Sequence, residues 1–192
     1  MHDSSSTIEM TTEEYLRLVT VGELVPHNST IYLADYDPGW PSQFNYLAGL
    51  ISNAISGTAV LLEHVGSTSV PGLSAKPVID MVLAVPNSAD EPSYVPPLEQ
   101  IGFALKIREP RWFEHRLLRS AGIDSHLHVF SVGCEEIRRM LVFRDRLRTH
   151  DEDREQYERA KRELAARNWK HVQDYADAKA AIVQEILTRA TG

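Results

Sequence analysis

One carboxylate sets the terms for what this chain can fold into. Asp80 lies between Ile79 and Met81 in Pro77–Val85, an apolar run whose length and composition predict a buried β-strand. An ionised carboxylate in such a strand costs several kcal/mol unless a cation, a metal or a ring of donors compensates it. Thr58–Val65 predicts a strand just upstream. Between the two runs Gly66-Ser67-Thr68-Ser69 opens a hydroxyl-rich loop ending at Lys76. Small-residue turns of this kind present backbone N–H groups to anions. A donor-rich turn leading into a strand carboxylate points to a phosphate site with a metal beside it.

Ser125–Val132 alternates at period two, which places His126, His128 and Phe130 on one face of a strand. Two imidazoles so spaced, joined by Asp80 from a neighbouring strand, make an open nitrogen and oxygen ligand set. Such a set suits zinc, manganese, iron or nickel better than magnesium. The competing reading is that the histidines simply line a half-exposed sheet face. Glu63 and His64 are adjacent and point to opposite faces, so at most one accompanies Asp80. Lys76, four residues before Asp80, and Lys179, one turn after Tyr175, are candidate phosphate-neutralising cations. The alternatives are a loop lysine and a snorkelling side chain. Arg144 to Arg148 reads either as a phosphate contact or as exposed helix arginines. His115 and His150 have no visible partner and read as surface residues. The sequence contains neither a P-loop nor a dinucleotide fingerprint.

The periodicities give a coarse map. Thr11–Leu24 predicts a short helix and Ile31–Leu33 a short strand. A helix opens at Asp37-Pro38 and ends at Gly57, carrying Trp40, Phe44, Leu47, Ile51 and Ile55 inward. A short helix ends near Gly102, and Phe103–Arg119 holds two strands around Pro110-Arg111-Trp112. Helices follow over Glu135–His150 and Asp151–Asn168, then an apolar stripe from Val172 to Ala190. Asp151–Lys170 balances six acids against six bases and reads mainly as a solvated face. Strands separated by helices, then a helical tail, predict an α/β or α+β domain. The sheet should be mixed, because the later strands follow one another too closely for helical crossovers.

A chain of 192 residues is most simply one domain, and the residues ahead of Met10 read as a tail. The net charge is −7, and the first 100 residues hold 12 acids and 2 bases. That balance argues against general nucleic-acid binding. No apolar run approaches the roughly 20 residues of a membrane span. The single Cys134 excludes an internal disulfide, and the first residues lack the pattern of a signal peptide, so a cytoplasmic location is expected.

From about Ile31 onward the chain resembles the GrpB family of the nucleotidyltransferase superfamily. The blocks that carry the resemblance are Tyr36-Asp37-Pro38-Gly39-Trp40-Pro41, Glu63-His64-Val65-Gly66-Ser67-Thr68-Ser69-Val70-Pro71-Gly72-Leu73 and Lys76-Pro77-Val78-Ile79-Asp80. His126-Leu127-His128-Val129, Phe143-Arg144-Asp145-Arg146-Leu147-Arg148 and Tyr175-Ala176-Asp177-Ala178-Lys179 follow in the family's order. The resemblance implies a nucleotidyltransferase-like mixed sheet flanked by helices, in a single domain over residues 31–192 with residues 1–30 an N-terminal extension carrying a short helix. In that superfamily a Gly-Ser turn cradles phosphates, and paired carboxylates hold the metals that steer attack on phosphorus. Carried over, Gly66 and Ser67 match the turn and Asp80 the first carboxylate; Gly66, Ser67, Thr68 and Ser69, with Lys76 and Lys179, are then the candidates to bind the phosphates of a nucleotide or another phosphorylated small molecule. Asp80 and Lys76 would serve catalysis. Asp80, His126 and His128 would hold a divalent ion, with magnesium, manganese or zinc as candidates. The pattern departs at its second carboxylate, where this chain has Val82. Two expectations therefore stand: a metal-dependent nucleotidyl- or phosphoryl-transferase, or a non-catalytic nucleotide-binding module.

Overall fold

The computed structural model describes residues 10–120 and 122–191; the tail expected ahead of Met10 lies outside them. Five strands form one sheet: β1 (Leu61–Val65), β2 (Ile79–Val85), β3 (Phe103–Glu109), β4 (His115–Ser120) and β5 (Ser125–Ser131). Their order is β1-β2-β5-β4-β3. β2 and β5 are parallel and the other pairs antiparallel, which is the mixed sheet the spacing requires. Seven helices flank it among the described residues. They are α1 (Thr12–Val19), α2 (Trp40–Ala54), α3 (Val95–Gln100), α4 (Glu135–Thr149), α5 (Asp151–Ala165), α6 (Val172–Ala178) and α7 (Ala180–Thr191).

The pleat of β2 sorts the sheet into two faces. Met81, Leu83 and Val85 join Leu118, Leu127, Val129, Phe103 and Leu105 on one face. Leu47 and Ile51 of α2 and Leu98 of α3 cover this main core. The opposite face carries Asp80, Val82 and Ala84. Register places Val65 and Glu63 of β1 beside them, and His126, His128 and Phe130 of β5 on the other side. Val65, Val82, Ala84 and Phe130 bury themselves under Ile137 of α4. Leu147 of α4, Tyr157 of α5 and Ile186 of α7 pack on Val70 and Leu73 of the β1–β2 loop. The C-terminal helices thereby hold that loop against the polar end of the sheet face.

Four local expectations change in the folded chain. Helix α1 stops at Val19 because Thr20 bridges Ile107 and the Val21 N–H bonds the Lys106 carbonyl, so β3 edge pairing takes over. Asp37 accepts a hydrogen bond from the Gly39 N–H (2.7 Å), and α2 therefore begins at Trp40 with Pro41, not Pro38, in its first turn. Ile31–Leu33 forms no strand; Ile31 packs against Ala165 and Tyr175 and donates its N–H to the Ala165 carbonyl. The last apolar stripe is two helices broken at Lys179.

Candidate functional site

Asp80 and His126 are direct partners across the parallel β2–β5 pair, and His128 lies one pleat further on, opposite Val82. The three side chains converge. One ligand-capable atom from each lies within 4.8 Å of the others. His126 Nδ1 donates to Asp80 Oδ1 at 3.1 Å. Burial acts to raise the Asp80 pKa, but the His126 hydrogen bond, aided by the nearby Lys179 ammonium, outweighs it and holds it below the usual carboxylate range. Burial drives His128 down to about 3, so its ring is neutral and keeps a lone pair. An ionised carboxylate with a neutral imidazole is the protonation pattern a first-row divalent ion requires. The donor set therefore fits such an ion.

His115 corrects the sequence reading. It is not a surface residue but 3% exposed, with Nδ1 2.5 Å from Glu109 Oε2 and Nε2 3.0 Å from His128 Nδ1. His150 is exposed, as expected. Val82, at the second-carboxylate position, is fully buried in the apolar cluster beneath α4.

The Gly66–Ser69 turn approaches Asp80 from β1. Gly66 has φ +68 and ψ −174, a conformation open essentially to glycine alone. Within the turn, Ser69 Oγ donates to the Gly66 carbonyl (2.6 Å) and Thr68 Oγ1 to the Val78 carbonyl (3.1 Å). Two of the expected phosphate-binding hydroxyls are thus committed to shaping the loop. Ser67 Oγ instead meets Lys161 Nζ at 3.2 Å. Lys161 is the residue that sequence reasoning missed. It projects inward from α5, is 2% exposed, and also donates to the Ser74 carbonyl. The balanced charges of α5 do not make a wholly solvated helix, since Asp153 is buried as well, between Arg146 and Arg189. Lys179 stands over the Tyr175 ring, 4.3 Å from its centroid, close enough to Asp80 and Lys161 to act on both charges. The Tyr175 hydroxyl is buried without a hydrogen-bond partner among the described residues. Lys76 is half-buried and makes no side-chain hydrogen bond or ion pair among the described residues.

Arginines of α4 fix the turn from outside. Arg144 donates to the His64 carbonyl (2.9 Å) and pairs with Glu63 (2.7 Å), while Arg148 donates to the Ser69 carbonyl (3.0 Å). Glu63 shares the Asp80 face but is occupied by Arg144, and His64 turns to the other face. There it stacks on Phe44 (4.8 Å, 8°), and its Nε2–H donates to Thr68 Oγ1 (3.1 Å). Burial pushes His64 from 6.5 down to about 4. The unfolded chain takes up this proton first, so the stabilisation is complete above pH 6.5 and lost as pH falls toward 4. Acidification to the low end of that window should cost about 2–3 kcal/mol through His64, and His128 acts in the same direction. Thermal melts across this range should be flatter for His64→Gln, which retains a donor that does not titrate. An unchanged profile would assign the acid sensitivity elsewhere.

Sheet, turn and cluster together define a class: an α+β protein with one carboxylate and two imidazoles facing a glycine–serine turn. The family model described as "GrpB protein" matches residues 30–189. A UPF0157 protein of Halalkalibacterium halodurans is 56% identical over 190 residues, covering 99% of this chain and 97% of the relative. A UPF0157 protein of Streptomyces coelicolor is 41% identical over 174 residues, 90% of this chain and 91% of the relative. The crystal structure of conserved protein GrpB from Enterococcus faecalis superposes with a TM-score of 0.67 at 29% identity, covering 83% of this chain and 96% of that one. The chain belongs to the GrpB family.

Proposed function

We propose that this protein holds a divalent ion at Asp80, His126 and His128 and transfers a nucleotidyl or phosphoryl group from a phosphorylated small molecule bound at the Gly66–Ser67 turn. The observation that carries the reading is the convergence of three ligand-capable atoms within 4.8 Å, next to a turn backed by two inward lysines. Lys161 and Lys179 would neutralise the phosphates, and Ser67 Oγ would orient them. The ion, when bound, would supply Lewis-acid polarisation of a phosphoryl oxygen. The protein's part is to position charge in a site of low dielectric, where fixed ammonium groups and donors count for more than in water.

A second reading, a binding module without chemistry, is favoured by one observation: the second-carboxylate position is Val82, buried among Val65, Ala84, Phe130 and Ile137, so no second carboxylate is offered there. The test begins with thermal melts of wild type and Asp80→Ala against nucleoside triphosphates with Mg²⁺, Mn²⁺, Zn²⁺ or chelator. A ligand at about 100 times its Kd adds roughly 2.7 kcal/mol. The expected result is a metal-dependent shift in wild type that is lost in Asp80→Ala. Turnover under the same conditions then separates the transferase from the module. No shift with any pair overturns both.

A further inference from the structure

A chain of hydrogen bonds runs from the N-terminal helix to the metal cluster. The Tyr15 hydroxyl of α1 donates to Glu109 Oε1 at the end of β3. Glu109 Oε2 accepts from His115 Nδ1 at 2.5 Å, and His115 Nε2 lies 3.0 Å from His128 Nδ1. His115 and Glu109 are nearly out of solvent, with side chains 4% and 14% exposed. None of these three residues offers an atom to the Asp80, His126 and His128 cluster.

Each bond in the chain fixes the next. Burial acts to raise the Glu109 pKa, but the hydrogen bonds from His115 and Tyr15 outweigh it, so the carboxyl is ionised and can only accept. His115 must therefore present Nδ1–H to it. In a neutral ring the remaining nitrogen, Nε2, is an acceptor. The proton of the bond to His128 then belongs to His128 Nδ1, and the lone pair of His128 is left on Nε2. We propose that Tyr15, Glu109 and His115 are positioning residues that hold His128 in the Nδ1–H tautomer, with Nε2 free to ligate. This rests on the reading of His128 as a metal ligand. It also makes the N-terminal extension part of the site. Leu16 and Val19 are buried, and the Val21 N–H bonds the Lys106 carbonyl, so α1 is fastened to β3 where Glu109 needs its Tyr15 partner.

A packing role alone would be satisfied by any flat ring, since His115 stacks on Phe130 (4.8 Å) and meets Trp112 edge-on (5.1 Å). His115→Phe keeps that packing and removes the acceptor. Long-range proton–nitrogen correlation spectra of the chelator-treated protein report which nitrogen of each ring is protonated. Wild-type His128 is expected as Nδ1–H. In His115→Phe it should shift toward Nε2–H, and affinity for Co²⁺ or Zn²⁺ should fall roughly 10–100-fold. Glu109→Gln should move both readouts in the same direction by less, and it serves if the phenylalanine variant does not fold. The proposal is overturned if wild-type His128 carries its proton on Nε2, or if the folded variants leave its tautomer unchanged. Wild type with the expected tautomer but no affinity for either ion overturns the metal reading and leaves the positioning chain standing.

Discussion

Lys161→Met is expected to raise the melting temperature and to weaken binding of a polyphosphate at the Gly66–Ser67 turn. Lys161 Nζ is enclosed, bonded to the Ser74 carbonyl and Ser67 Oγ, and forms no ion pair among the described residues. Burial, with repulsion from Lys179, lowers its pKa from 10.5 to about 7. The unfolded chain keeps this proton to higher pH than the folded one. The buried ammonium therefore subtracts stability at and below neutrality, and the penalty fades as pH rises from about 7 toward 10.5. Methionine has comparable length and no charge to desolvate. Its gain is offset in part by the two lost hydrogen bonds, leaving roughly 1–3 kcal/mol of net stabilisation below neutral pH. The same change removes a charge-assisted contact to phosphate, worth roughly 10–100-fold in affinity. Melts between neutral and alkaline pH, paired with pyrophosphate and nucleoside triphosphate titrations, check both halves. A variant that is less stable and still binds would make Lys161 a structural residue.

A charge held in the interior at the expense of stability is a mark of use, and the sequence hides it. Asp151–Lys170 shows equal acids and bases, and nothing in that balance says that Asp153 and Lys161 turn inward while their neighbours face water. Their direction is set by α4 and α7 packing around α5, which is tertiary information. By contrast the Asp80, His126 and His128 cluster was legible, because period-two alternation fixes the face of each strand residue. What remained was whether β2 and β5 are neighbours, and they are. His115 was hidden because its partner depends on the β3–β4 register. Glu109 and His115 flank the Pro110-Arg111-Trp112 turn and pair with each other across the hairpin. Each lies three residues from Trp112, and that symmetry was the available signal. The breaks at Val19 and Lys179 were not legible, since in both places the apolar pattern runs past the point where the helix ends.

Gly66→Ala should be the most damaging alanine substitution among the described glycines. A Cβ at this position would lie 2.4 Å from Asp80 Oδ2, 2.8 Å from Asp80 Cβ and 3.0 Å from Asp80 Cγ. Asp80 cannot swing clear as a surface side chain does, because its own Cβ is fixed by β2, paired on both sides by β1 and β5. The backbone adds its own cost, since φ +68 with ψ −174 is strained for any residue with a side chain. Strain of about 1–3 kcal/mol and overpacking of about 1–3 kcal/mol together predict a loss of about 2–6 kcal/mol. A double-mutant cycle separates the two contributions. Asp80→Ala removes the contacts at 2.4 and 3.0 Å but keeps the one at 2.8 Å, so Gly66→Ala should cost less in that background while remaining destabilising. Additive effects would mean that the turn moves away from Asp80 freely. The close approach of turn and carboxylate would then be incidental, and the proposed phosphate and metal subsites would have to be placed independently of each other. Non-additivity of 1 kcal/mol or more, on the order expected for residues in contact, would tie the geometry of the turn to the geometry of the Asp80, His126 and His128 cluster. A change in either subsite would then be felt in the other.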